Sequence, residues 1–260
     1  MRDELSPVIE VLDTLDAPID AFVRDDDAGW DDARLLALLD TMAFAGVPID
    51  LAAIPLAVSD PLAAELNARI DAAPGAVGVH QHGCAHANHE AEGRKCEFGS
   101  ARDAQAQQHD LRSGRLLLQH FFGERLQPVF TPPWNRCAAH TPALLAGMGF
   151  AALSRDRGAA AQQALPELPV DIDWSRQYRE GGAPAAARAL AHALRERAAD
   201  GAPLGLMLHH AVMAPDELAL LGGWLWRLAR HGRLRWQPMA ALLRIAASAR
   251  TPASAMRNLR

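Results

Sequence analysis

The chain reads as an α/β protein made of repeated strand–helix units, and three observations predict this. Short β-leaning runs bounded by Gly, Pro or Asp recur along its 260 residues. Between them lie Ala/Leu/Arg-rich stretches whose apolar residues keep helical spacing. The first run enters Arg24-Asp25-Asp26-Asp27 with no Gly-rich loop behind it. Three carboxylates there would repel a phosphate, which disfavours a dinucleotide-binding sheet. The alternation predicts a barrel or a doubly wound sheet.

The elements follow in order. Glu4 to Leu15 is a helix that caps the barrel or covers one edge. The expected strands are Ala21 to Val23, Val47 to Ile54, Ala76 to His80, Pro128 to Thr131, Phe150 to Leu153, Leu168 to Ile172, Leu204 to Leu208 and Arg233 to Trp236. Leu35, Leu36, Leu39, Met42 and Ala43 form the apolar face of a helix that Asp31 or Asp32 can cap. Ala101 to Phe122 is a long polar helix. Pro184 opens a helix over Ala185 to Ala199, which Asp200-Gly201 ends. Asp216 to Ala229 is another, and Pro238 opens a last helix to about Ala247. Residues 1–247 form one domain, and 248–260 form a basic tail.

Composition narrows the function. Half the residues are hydrophobic and 22% are charged, an ordinary globular balance. The net charge is -5 and no basic patch is visible, so nucleic acid is not an expected partner. No apolar run is long enough to span a membrane. Acidic residues interrupt every apolar stretch of the N-terminal segment, which lacks a signal-peptide core. With an odd set of cysteines (Cys84, Cys96 and Cys137), this predicts reduced thiols in a cytoplasmic protein.

Chemistry-bearing residues sit at strand ends, which converge on one face of such a fold. Asp25-Asp26-Asp27 ends the first strand. His82-Gly83-Cys84-Ala85-His86 follows the third, inside a long Gln81 to Ser100 connection of the kind that often carries function. An i, i+4 histidine pair with a carboxylate suits a metal ion with open positions. Read singly, these segments are also a solvated turn and a polar loop. Cys84 is either a thiolate ligand or an inert small residue. Pro132-Pro133-Trp134-Asn135 stiffens a loop and presents an indole for a sugar ring, unless Trp134 is core. Trp174 after Asp173 has the same two readings; Trp224, Trp226 and Trp236 are assigned to the core. His209-His210 closes a buried strand, where a histidine can donate a proton or simply pack.

The order and spacing of these five segments resemble the polysaccharide deacetylase (NodB-homology) superfamily of metal-dependent carbohydrate esterases. Arg24-Asp25-Asp26-Asp27-Ala28-Gly29 looks like its Thr-Phe-Asp-Asp-Gly motif. His82-Gly83-Cys84-Ala85-His86 looks like His-Ser/Thr-x-x-His. Thr131-Pro132-Pro133-Trp134-Asn135 stands for Arg-x-Pro-aromatic-Gly, Asp171-Ile172-Asp173-Trp174 for the fourth motif, and Leu206-Met207-Leu208-His209 for the fifth. The resemblance implies a distorted (β/α) barrel of about seven strands, related to the TIM barrel. It implies Asp26 as general base, Asp27, His82 and His86 as ligands of Zn²⁺ or another divalent ion, and His209 as general acid. Asp173 would tune the acid/base pair, and Trp134, Trp174, Asn135 and Arg136 would contact substrate.

Three departures mark a divergent branch. Thr131 replaces the Arg that positions the base, leaving Arg136 or Arg24 to supply the charge. Asn135 replaces a Gly, and Gly83 replaces a hydroxyl. Asp25/Asp26 remains an alternative register, and His210 an alternative acid. The implied reaction is hydrolysis of an N-acetyl group on a sugar or glycoconjugate. A non-sugar or cyclic amide, and a non-catalytic glycan- or metal-binding barrel, are the alternatives.

Overall fold

The computed structural model describes residues 3–250. Eight parallel strands form the sheet: β1 (Ile19–Ala28), β2 (Ile49–Ala53), β3 (Val77–His82), β4 (Leu126–Thr131), β5 (Ala152–Leu153), β6 (Ile172–Asp173), β7 (Leu204–Leu208) and β8 (Leu234–Trp236). Seven follow the order β5-β4-β3-β2-β1-β7-β6, curling into an open barrel, and β8 pairs with β1. Ala21 pairs with both Leu204 and Trp236, so β8 takes the flank of β1 that β2 joins only from Arg24 onward. Isolated bridges from Leu153 to Glu167 and from Asp156 to Val170 span the gap between the two outer strands. The expected distorted (β/α) barrel of about seven strands is what forms.

Helices cover the outside: α1 (Ser6–Asp13), α2 (Asp32–Ala45), α3 (Asp60–Ala72), α4 (Ala104–Phe122), α5 (Thr141–Gly147), α6 (Trp174–Asp200), α7 (Pro215–Leu228) and α8 (Met239–Arg250). Side-chain caps set several starts. Asp31 accepts from the Arg34 amide, Ser59 from Leu62 and Asp103 from Ala106. The outer core joins alternate strand residues such as Ala21, Val23, Leu51 and Val79 to the helices. The opposite parity fills the barrel, where Phe22, Val129, Ala152 and Met207 meet Met239 and Leu242. The start of α8 therefore plugs the N-terminal mouth, and α1 packs on α6 in the outer layer. No helix among the described residues is long and apolar enough to cross a membrane.

Every expected strand forms, but several bounds move. β1 continues through the whole Asp triplet to Ala28, because each carboxylate gains a partner. β5 shrinks to two residues, and β6 shares only Ile172 with the expected strand Leu168 to Ile172, whose Val170 forms an isolated bridge. α4 starts at Ala104. The expected Ala185 to Ala199 helix is the second part of α6, which breaks at Gly181-Gly182 and begins at Trp174. Sequence reading passed over α3 and α5. α8 runs to Arg250, beyond the expected end at Ala247; the rest of the basic tail, 251–260, lies outside the described residues.

Candidate active site and metal centre

Strand parity sorts the adjacent acids and histidines at the C-terminal barrel mouth. Arg24 and Asp26 share the inner side of β1 with Phe22, whereas Asp25 shares the outer side with Ala21 and Val23. At the end of β7, His209 continues the parity of Gly205 and Met207, and His210 that of Leu206 and Leu208.

Asp27 has a left-handed backbone (φ 71°) where the pairing of β1 with β2 shifts register, and His86 has φ 54°. Non-glycine residues adopt this conformation at a cost of about 1–2 kcal/mol, so surrounding contacts must hold it. The result is convergence. Asp27 Oδ1 lies 3.3 Å from His82 Nε2 and 3.2 Å from His86 Nε2. Ligands at ~2.0–2.1 Å around one tetrahedral ion are separated by about 3.3 Å, so the three atoms fit a single divalent cation. Asp27 Oδ1 is buried with no hydrogen-bond donor, a polar atom left for an ion. His82 Nδ1–H donates to the Thr131 carbonyl (3.0 Å), which orients its ring and leaves Nε2 facing Asp27. Burial opposes a charge on His82, but Asp27 and Asp26 outweigh it and raise its pKa. Burial and the nearby His82 push His86 down to about 4. Cys84 is outside this set. It is buried beside Phe98, Leu111 and Phe130, and burial raises its thiol to about 11.

Asp26 faces the same mouth with a different partner. Arg24 Nε donates to its Oδ1 at 2.7 Å and Nη2 to its Oδ2 at 2.9 Å. Arg24 is itself fully buried and held by Ser154 Oγ and Asn135 Oδ1, both at 2.7 Å. Burial raises the Asp26 carboxyl, but Arg24 and then His82 and His209 outweigh it, so its pKa falls below the ordinary carboxylate range. Of the two arginines considered for this charge, Arg24 is the one on Asp26. Arg136 instead donates to the Lys95 carbonyl at 3.0 Å.

His209 and Asp173 lie across the mouth, 3.7 Å apart and both about a quarter to a third exposed. Asp173 also caps α6 through the Arg176 amide. His210 is committed elsewhere. Its Nδ1 donates to Asp25 at 2.6 Å and its Nε2 to the Trp30 carbonyl at 2.6 Å. Burial disfavours its charge, but Asp25 more than compensates and raises it to about 9. With both ring nitrogens bonded, His210 has no free site for a substrate proton, and Asp25 belongs to this pair.

One substrate-contact expectation needs correction. Trp174 does not wall the groove. It is 2% exposed and packs on Tyr178 and Trp224, because capping by Asp173 turns the next residue toward the inner face of the helix. Asn135 is largely buried and its carbonyl oxygen serves Arg24, although it also lines the groove. Trp134 and Arg136 do line the groove with His209, and the Trp134 ring packs against His86 at 4.4 Å, tilted by 58°. Trp226 is 40% exposed under Arg230, not core.

Two residues at the site were missed. Trp30 also packs against His86, at 4.7 Å edge-on. Its only signal was an exposed-looking indole just after the Asp triplet. Glu97 carried none. Its buried carboxylate accepts from the Cys84 and Ala85 amides at 3.2 and 2.7 Å, holding the loop that presents His86. A Cβ on Gly83 would lie 2.0 Å from Glu97 Oε2, and Gly83 has φ 61°, so the hydroxyl residue expected there has no room.

No protein-family model matches the sequence, and no curated protein matches it. Solved structures do match. A Mycobacterium smegmatis protein assigned as a polysaccharide deacetylase is 18% identical, with a TM-score of 0.69 over 90% of this chain and 92% of that one. A family 4 acetyl xylan esterase from Clostridium thermocellum, solved with a cobalt ion, is 13% identical (TM-score 0.59; 88% and 91% covered). A CE4 family pseudoenzyme from Bacillus anthracis is 11% identical (TM-score 0.54; 88% and 66% covered). The chain therefore has the fold of the polysaccharide deacetylases and family 4 carbohydrate esterases.

Proposed function

We propose that this chain is a metal-dependent hydrolase that removes an N-acetyl group from a sugar or glycoconjugate. One observation carries the reading: neighbouring carboxylates on β1 have opposite partners, Asp27 with two histidines and Asp26 with a buried arginine. That division suits one ligand and one base. Asp27, His82 and His86 would hold a divalent ion, Zn²⁺ first, which when bound would polarise the acetamide carbonyl and acidify water.

The chain's own groups supply the proton transfers. Asp26, kept ionised by Arg24, takes a proton from the attacking water as the new C–O bond forms at the acetamide carbon. The C–N bond then breaks, and His209, steadied by Asp173, gives its proton to the departing nitrogen. Acetate and a free amine leave, and one water is consumed. Trp134 offers its ring to the sugar beside the scissile group. The three unpaired thiols support a cytoplasmic setting for this chemistry.

The fold also carries a pseudoenzyme, and Thr131 at the position of the resembled family's Arg favours a non-catalytic glycan-binding barrel. Arg24 on Asp26 speaks against it.

The test is metal content and acetate release. About one divalent ion per chain is expected, lost in H82A/H86A. Asp26→Asn should keep the ion and lose about 10²–10⁴ in turnover of an acetylated aminosugar. Absence of metal, with no uptake on titration, sinks the reading. Bound metal with amidase turnover but no acetate release moves the assignment to a non-sugar amide.

A further inference from the structure

A groove leads away from His209. Its inner part, about 410 Å³, runs from Trp134, Asp173 and His209 to Arg94 and Arg136. Its outer part, about 300 Å³, shares Arg94, Arg136 and Asp156 and ends at Ala160. The two arginines stand where these hollows meet. Other arginines in the groove are already neutralised: Arg155 by Glu167, Arg157 by Asp171 and Arg176 by Glu180. Arg94 and Arg136 form no ion pair among the described residues, in a protein whose net charge is -5.

Arg136 is also held in place. One N–H donates to the Lys95 carbonyl, and its own carbonyl accepts from Cys96 Sγ at 3.3 Å. A guanidinium has five donors in a fixed fork, so most of the Arg136 fork stays free for a planar or tetrahedral oxyanion. Burial and the adjacent Arg94 both act against the charge on Arg136, an imbalance that a ligand anion would relieve. The groove carboxylate outside an ion pair is Asp156, whose charged neighbours include Asp26 and Asp173 as well as Arg136. Asp156 lines the same junction as Arg94 and Arg136, with Arg24 also near it, so two arginines face one carboxylate there.

We infer that Arg94 and Arg136 form a subsite for an anionic group, a phosphate or a carboxylate, that the substrate carries beside the sugar losing its acetyl group. The inference rests on the deacetylase reading for what happens to that sugar, but the anion subsite is measurable by binding alone.

The experiment compares three ligands on the zinc-loaded protein by calorimetry: N-acetylglucosamine 1-phosphate, N-acetylmuramic acid and the neutral methyl glycoside of N-acetylglucosamine. At least one anion should bind about tenfold more tightly than the neutral sugar, and that advantage should shrink with added salt. It should disappear in R94Q/R136Q and persist in Arg188→Gln, a distant exposed control. Advantage for the first ligand identifies a phosphate, and for the second a carboxylate. Equal binding of all three by the wild type, or an advantage untouched in R94Q/R136Q, overturns the subsite. Anion binding that depends on the arginines, with no acetate released from any ligand, upholds the subsite and counts against the deacetylase reading instead.

Discussion

Arg24 and Asp26 form a buried pair in which removing either partner strands a charge. Arg24→Lys keeps the charge and loses the fork. The Asp26 pKa should then rise, since a lysine lacks the two-pronged guanidinium that lowers it. The acid limb of the pH dependence of kcat/KM should move to higher pH. A stationary limb would mean that Arg24 does not set the state of Asp26. His210 gives the complementary case. Its raised pKa keeps it charged through neutrality beside Asp25. His210→Gln should cost about 3–5 kcal/mol in urea unfolding by stranding the Asp25 carboxylate. D25N/H210Q should cost less than the sum of its single changes. If the basic limb of the pH profile vanishes in His210→Gln at temperatures where the variant is folded, His209 is not the acid.

At the level of elements, the second-motif loop shows how one substitution is absorbed by another part of the chain. Gly83, left-handed and crowded by Glu97 and Pro133, lets the Glu97 carboxylate reach two loop amides. Putting the resembled family's serine back at this position should therefore harm the site. Gly83→Ser and Glu97→Ala should each weaken zinc binding by about 10–100-fold, the usual effect of losing support behind a ligand. Competition against a chromogenic chelator measures this, and unchanged affinity in Glu97→Ala would remove Glu97 from the metal centre. The sequence displayed the ligand pattern here but not Glu97, because a carboxylate eleven residues after His86 in an irregular loop has no periodicity to mark it. The kink in α6 was equally hidden. Gly181-Gly182-Ala183-Pro184 looks like a start signal, and the turns before it carry mixed polar residues.

For the whole molecule, buried polar groups along the barrel couple stability to pH. His80 is buried, meets Thr131 Oγ1 at 2.9 Å, and burial lowers it to about 3. The unfolded chain binds that proton from about pH 6.5 downward and the folded chain does not. Stability is therefore lost as pH falls, by up to about 1.4 kcal/mol per unit. Asp50 works the other way. Burial raises it to about 6, despite bonds from Met239 N and Gln127, so the folded state gains protons between about pH 6 and 3.8 and is stabilised there. The two contributions oppose each other over that window. In metal-free protein, His80→Gln should unmask the Asp50 contribution, and the loss of stability from pH 6 to 5 should be smaller than in wild type. Urea midpoints at the two pH values decide it; a larger loss in the variant would refute the balance.

The sequence by itself determined the strand–helix alternation, all eight strands and the five segments at the barrel mouth. Each is local: β-leaning runs, helical periodicity and fixed spacings need no partner to be seen. It also held the parity that separates Asp25 from Asp26 and His209 from His210, but not which face was the interior, since both faces of these strands are buried. Tertiary structure decided that. It placed Arg24 on Asp26, locked His210 to Asp25, sent Trp174 into the helix layer and brought Glu97, Trp30 and Ser154 to the site. These contacts join residues up to 185 positions apart. Only the closing of the barrel fixes such distances, so no local pattern could record them.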